Sequence, residues 1–337
     1  MKRSFAGILA ATAIVASFAI APAANAADVS ITGGGSSYDN NMFVACATSV
    51  PGVALTYSKS SSGTGRSSFV NKTIDFAGSD WVYGPTDAKP SFDWTYVPVL
   101  AGPVVVTYNV SGLNLKLTPA VLSDILQAKI TTWNDAKIAK INKGAKLPSN
   151  PITIVYRTSG SGTTQNLSAY LRDTVPSAGW VDNSTYTTAS GNSKGTGVAS
   201  NADIVTTVGK TPYSIGYADL ADTLTAGLQY AALQNGAGQF VKPSVAASKL
   251  FISKQSMANN GVVKFDYEAA IKGAYNLSLV SYGIAPKGLG TPAAAGVKTW
   301  LTGYLKTCAP AKAAGLGYVA LSGDTLKIAL KLAAKVG

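Results

Sequence analysis

The sequence predicts an α/β protein built as two domains, and three observations carry that expectation. Apolar, β-branched runs alternate with segments that open like helices, the pattern of layered strands and helices. The chain has 337 residues, beyond the ~250–300 at which single hydrophobic cores tend to divide. Hydrophobic residues make up 47% and charged residues 13%, a balance that supports a large core and argues against disorder.

Taken in order, residues 1–26 carry Lys2 and Arg3, an apolar stretch, and Ala24-Asn25-Ala26. A charged start, hydrophobic middle and small-residue exit predict a secretory signal cut after Ala26. The apolar run is short for a membrane span of ~20 residues, and no cysteine stands at the cut site to take a lipid. The expectation is an exported protein, periplasmic or extracellular and not lipid-anchored. "DVSITGGGSSYDNNMFVACATSV" reads as a strand, a glycine turn and a helix. "VALTY" is a second strand, and "SKSSSGTGRSSFVN" a small-residue turn entering a second helix. "TIDFAGSDWVY" holds a third strand ending at Asp80, and "GPVVVTYNV" is a strongly β-branched fourth. "TPAVLSDILQAKI" opens a helix with Thr118 as cap and Pro119 in the first turn. "PITIVYR" and "YSIGYADL" are further strands, and "TPAAAGVKTWLTGYLKT" and "SGDTLKIALKLAAKV" read as two terminal helices.

Removing Lys2 and Arg3 from the 28 basic residues leaves 26 against 16 acidic, a net charge of +10. The lysines are scattered, which suits small anions better than a nucleic-acid groove, although solubility alone would also account for the charge. Only Cys46 and Cys308 occur. Outside the cytoplasm such a pair is readily oxidised, so one disulfide is expected, with two free buried thiols as the alternative. There is no histidine. That excludes histidine-based triads and the usual zinc sites, and no metal or other cofactor is expected.

One piece of local grammar occurs three times: strand, turn of Gly, Ser and Thr, then helix, in "ITGGGSSY", "YSKSSSGTG" and "YRTSGSGTT". Small residues let backbone approach a ligand, and a helix start offers free N–H groups and the positive end of its dipole. Ser37, Ser62, Ser161 and Thr163 add hydroxyl donors. Capping alone explains one such turn. Three turns, one carrying Arg157 at the exit of a buried strand, point to a tetrahedral oxyanion. Asp80 should repel an anion unless the ligand keeps a proton, because an ionised carboxylate only accepts hydrogen bonds. Phosphate near neutral pH has such a proton and sulfate lacks one, so Asp80 would reject sulfate by setting lone pairs face to face. "GKT" at Gly209–Thr211 is not a P-loop, since Ile204 stands where its first glycine belongs and Pro212 interrupts the helix that should follow. "SGSGT" lacks the Gly-x-Gly-x-x-Gly spacing of a dinucleotide site.

With these residues assembled, nearly the whole chain beyond residue 26 resembles the phosphate-binding proteins of phosphate ABC transporters, the PstS type. "ITGGGSSY" resembles the family's first anion turn and implies contacts from Ser37 and the backbone of Tyr38. "SSGTG" resembles the second and implies Ser62. "TIDFAGSD" implies the proton-accepting role for Asp80, and "YRTSGSGTT" implies Arg157, Ser161, Gly162 and Thr163. "LSDILQAKITTWNDAKIAKIN", "GYADLAD" and "AYNLSLVSYGI" also match, without an expected ligand contact. The resemblance implies a two-lobed type II periplasmic-binding-protein fold with hinge strands, lobe one over 27–101 plus 273–337 and lobe two over 102–272. Cys46 and Cys308 then fall in one lobe.

Three departures stand out. Ser159 replaces the aspartate with which many relatives pair the site arginine, Tyr38 and Asp39 replace a Phe-Pro pair, and Arg66 lies just past the second turn, where a solvated helix residue is expected and an extra positive charge at the pocket rim is the alternative. The expected function is capture of inorganic phosphate by a monomer and its delivery to a membrane permease, with no nucleic-acid partner. The alternatives are a secreted phosphatase-like enzyme on the same scaffold and a carrier of another oxyanion such as sulfate or arsenate. No Asp/Glu cluster suits a metal pair, while a Ser–Lys arrangement stays open to the enzyme.

Overall fold

The β-branched runs pair into one nine-stranded sheet in a computed structural model, which describes residues 28–158 and 160–337. The expected signal segment and Ser159 lie outside the described residues. The strands are β1 (Val29–Gly35), β2 (Val53–Lys59), β3 (Phe76–Ser79), β4 (Trp94–Tyr108), β5 (Thr153–Arg157), β6 (Thr196–Val198), β7 (Ser214–Asp219), β8 (Gln229–Tyr230) and β9 (Ser278–Pro286). Their order is β2-β1-β3-β9-β4-β7-β5-β6, with β8 also on β4. At one end β1 runs parallel to β2 and β3. At the other, β5 runs parallel to β6 and β7. Between them β4 is antiparallel to β9 from Trp94 to Pro103 and to β7 from Val104 to Tyr108. One continuous strand thus changes partners halfway and joins two α/β lobes.

The sequence places the start of this strand at Gly102, yet β4 begins at Trp94. Pro98 is the reason. A proline cannot donate to a ladder and argues against a central strand, but here it pairs with Tyr282 beside a register shift at Ser281/Tyr282, where regular pairing is already interrupted.

The principal helices are α1 (Asn40–Ala45), α2 (Ser62–Val70), α3 (Pro119–Leu126), α4 (Gly162–Thr174), α5 (Asn201–Lys210), α6 (Pro292–Gly303) and α7 (Gly323–Ala333). Ser61, Thr118 and Ser161 cap α2, α3 and α4 by accepting the backbone N–H of Thr64, Val121 and Thr164, the role expected of hydroxyl residues there. "GKT" closes α5 rather than opening a helix. In the core, Phe43 sets its edge or face against Tyr57, Trp300 and Tyr304, all near-perpendicular, an arrangement aromatic quadrupoles favour.

Cys46, which ends α1, and Cys308, beyond α6, form a disulfide across 262 residues of chain, and both are buried. A cross-link over so long a loop stabilises chiefly by restricting the unfolded chain. Replacing both cysteines with alanine should lower unfolding free energy by ~2–5 kcal/mol, read as a denaturant midpoint. An unchanged midpoint would remove the bridge from the stability of this protein.

Candidate functional site

Parallel strands leave their carboxyl ends on one edge, so the turns after β1, β2, β3 and β5 can converge. Ser36 and Ser37 follow β1, Ser62 opens α2, Asp80 follows β3, Arg157 ends β5, and Ser161 to Thr163 lead into α4. The structure brings these together. Arg157 Nη1 donates to Ser37 Oγ at 3.2 Å, and Thr163 Oγ1 donates to Asp80 Oδ2 at 3.3 Å. Asp80 N donates to Ser62 Oγ at 3.1 Å, and Asn166 Nδ2 donates to the Asp80 carbonyl at 2.7 Å. A backbone bond from Gly63 N to Gly160 O, 2.9 Å, closes the second turn onto the third.

Gly162 earns its place by absence of a side chain. A Cβ there would stand 2.5 Å from Ser62 Oγ and 2.7 Å from Asp80 Cβ, closer than real contacts allow. The expected backbone donor Tyr38 N is engaged within its own turn, donating to Ser36 Oγ at 3.0 Å, and Ser161 N donates to the Ser184 carbonyl at 2.8 Å. Ser161 Oγ accepts the Thr164 N–H.

Arg157 is 2% exposed. Its Nη1 also donates to Asn201 Oδ1 at 2.7 Å, while its Nε finds no partner among the described residues. Burial lowers its pKa, and Tyr217 and Asp80 act in the opposite direction. An arginine stays protonated in proteins, so the site holds a full positive charge whose contact partners named here, Ser37 and Asn201, are neutral. Asn201 completes the constellation: its N–H donates to Ser37 Oγ at 3.2 Å and its Nδ2 to Asp219 Oδ2 at 3.0 Å. Motif reading for anion turns passes over it. The signal was present nonetheless, because Ser200 and Asp203 form a capping box, and that motif marks a helix start with exposed donors.

Asp80 is 2% exposed. Oδ1 accepts from Ser36 Oγ at 2.5 Å and from Ser281 Oγ at 3.0 Å. Burial pushes its carboxyl up, and the bonds from Ser36 and Ser281, the Arg157 charge and Thr163 pull it back. Ser281 lies in "AYNLSLVSYGI", a segment expected to stand away from the anion; the pairing of β9 between β3 and β4 carries it to the back of Asp80 instead.

Arg66 corrects a second expectation. It is 7% exposed, donates from Nη1 to Ser79 Oγ at 3.2 Å, pairs with Asp87 at 3.3 Å, and lies over the Tyr83 ring at 5.7 Å. The turn of α2 presses it against the chain after β3, so it is a tethered charge on a cavity of about 470 Å³ shared with Thr64, Gly160 and Ser184. Among the described residues no group of three or more His, Cys, Asp or Glu could hold a metal ion, and no helix is long and apolar enough to cross a membrane.

The chain that builds this site is similar to known proteins in sequence and in fold. A family model described as a PBP superfamily domain matches residues 21–305. A phosphate-binding protein PstS of Pasteurella multocida is 37% identical over 226 residues, covering 64% of this chain and 63% of that protein. The chain therefore spans somewhat less than two thirds of that relative. Among solved structures, a high-affinity periplasmic phosphate-binding protein determined with bound phosphate superposes with a TM-score of 0.72 at 20% identity, covering 88% of this chain and 92% of the other. A phosphate-binding protein from Stenotrophomonas maltophilia gives 0.68 at 18% identity, covering 90% and 94%. The sheet that changes partners in mid-strand and the extent of the family match place this chain in the PBP superfamily.

Proposed function

We propose that this chain is an exported, monomeric solute-binding protein that closes two lobes around one inorganic phosphate and passes it to an ABC-type permease. The observation that carries the reading is Asp80 opposite Arg157 in one buried ring of hydroxyls. Among the described residues Asp80 Oδ1 is occupied from behind by Ser36 and Ser281, and Oδ2 accepts from Thr163. A carboxylate oxygen with acceptor capacity left, beside a buried guanidinium, suits a ligand that is both anionic and protonated. Hydrogenphosphate fits that description and sulfate does not. Ser37, Tyr38, Ser62, Ser161, Gly162 and Thr163 supply the remaining contacts as the lobes close. The lobes divide near residues 101 and 273, a partition supported by the exchange of partners along β4. Closure removes water, and hydrogen bonds to an ion strengthen in a low dielectric. No covalent step is required.

Competition calorimetry with phosphate, sulfate and arsenate tests this. Tight stoichiometric phosphate binding with sulfate at least ~100-fold weaker is expected, since an unpaired acceptor facing sulfate costs ~2–3 kcal/mol. Asp80→Asn should shrink that preference by tenfold or more by turning a repelling acceptor into a donor. An unchanged phosphate-to-sulfate ratio would dismiss the role given to Asp80. Turnover of a chromogenic phosphate ester by metal-free protein would replace the carrier with an enzyme.

A further inference from the structure

Asp39 stands immediately before α1, where an aspartate ordinarily caps free N–H groups, yet its side chain makes no cap bond. It turns inward and is fully buried. Its Oδ2 lies 2.8 Å from Ser281 Oγ, which lies 3.0 Å from Asp80 Oδ1. Its Oδ1 has no partner among the described residues. Gly78 makes the room: a Cβ there would stand 2.7 Å from Asp39 Oδ2 and 2.3 Å from Tyr57 Oη. None of this follows from the anion site as described above.

Counting protons decides what the arrangement means. The Ser281 hydroxyl has one proton and faces two carboxyl groups. If both were ionised, one would be left without a donor, and two buried charges would repel across a single oxygen. One carboxyl must therefore donate to Ser281, which gives its own proton to the other. Asp80 is poorly placed to be the acid, because Ser36 and Thr163 already donate to it and the Arg157 charge favours its ionised form. Asp39 has Ser281 as its side-chain partner among the described residues. The titratable groups that face Asp39 are Asp80, Asp219, Tyr38, Tyr57 and Tyr304, and none of these is a cation. Burial first, then the neighbouring Asp80, push its carboxyl well above the usual carboxylate range.

We propose that Asp39 holds a proton at neutral pH and acts through Ser281 as a positioning residue that keeps Asp80 an ionised acceptor. The chain of donors runs from the Asp39 O–H to Ser281 Oγ and from the Ser281 O–H to Asp80 Oδ1, leaving Asp80 Oδ2 for the proton of the ligand. The consequence for binding rests on the phosphate reading; the proton itself does not. When Asp39 ionises at higher pH the chain breaks, and phosphate affinity falls further than the ionisation of phosphate accounts for.

Infrared spectroscopy of the ligand-free protein at pH 7 tests the proton directly. Burial pushes the Asp219 carboxyl up to about 8, so it contributes an acid carbonyl stretch of its own; the Asp39 component is the part of that band that survives in Asp80→Asn, is lost in Asp39→Asn, and shifts in Ser281→Ala as the acid loses its acceptor. Calorimetry with inorganic phosphate tests the consequence. Asp39→Leu should weaken binding about tenfold at pH 7, the effect of one lost charge-assisted bond, and Asp39→Asn, a neutral donor, should recover most of it and flatten the alkaline decline of the unmodified protein. An acid band undiminished in Asp39→Asn, or superimposable pH profiles for the two proteins, would overturn the proposal. Should Asp39→Asn fail to fold, an unmoved band in Ser281→Ala would do the same. The expected spectra from a protein that binds no phosphate would sustain the protonated acid and refute the phosphate reading alone.

Discussion

Replacing Arg157 with alanine should weaken phosphate binding by 100-fold or more. The guanidinium is buried at the end of β5 and reaches across to Ser37, whose turn follows β1 in the other half of the sheet. Removing one partner of a buried, hydrogen-bonded charge pair costs ~2–5 kcal/mol, and 1.4 kcal/mol is a factor of ten. Asn201 shapes the result. Its Oδ1 loses the Nη1 donor at 2.7 Å, so the variant is also left with a buried unsatisfied acceptor, which costs ~1–3 kcal/mol of stability. Arg157→Lys keeps the charge but not the planar fork, and should fall between the two proteins. Calorimetry supplies the affinities and a denaturant midpoint the stability. Undiminished affinity in Arg157→Ala would take the arginine out of the site.

Gly162→Ala should separate binding from folding. The added methyl meets Ser62 Oγ at 2.5 Å and Asp80 Cβ at 2.7 Å. Asp80 cannot withdraw without moving the backbone that Asn166 and Ser62 hold. The two turns therefore cannot close, and affinity should drop by about two orders of magnitude, a clash cost of ~3 kcal/mol. Gly162 begins α4 with no left-handed backbone to strain, and alanine is favoured over glycine in a helix by ~0.5–1 kcal/mol. Stability without ligand should then hold or rise slightly. Gly63→Ala is the milder control, because the nearest atom to its methyl is the Gly160 carbonyl oxygen, at 3.0 Å. A Gly162→Ala protein that binds as tightly as the original would mean that these turns do not form the closed site.

Individual residues show how far the chain could be read unaided. The three glycine-rich turns were visible because small residues, hydroxyls and a strand exit are local signals; Arg157 does meet Ser37, and Asp80 meets Ser62 and Thr163. Asn201 and Ser281 were not visible as members of that group. Each is an ordinary polar residue in its own segment, and only pairing between strands distant in sequence brings it there. Arg66 was misjudged for a related reason. Helical periodicity says which residues share a face but not what covers it, and here Asp87 and Tyr83 cover it.

Residue order alone therefore set the α/β alternation, the capped helix starts and the donor chemistry of the turns, since each depends on groups a few positions apart. Folding in three dimensions decided which turns share a cleft, that β4 serves two lobes, and that Asp39 faces Asp80 rather than capping its helix. The physical reason is range. Caps and turns satisfy backbone groups within one turn of chain, whereas the protonation of a buried carboxyl depends on every charge and hydroxyl packed around it, and those arrive from four separate strands.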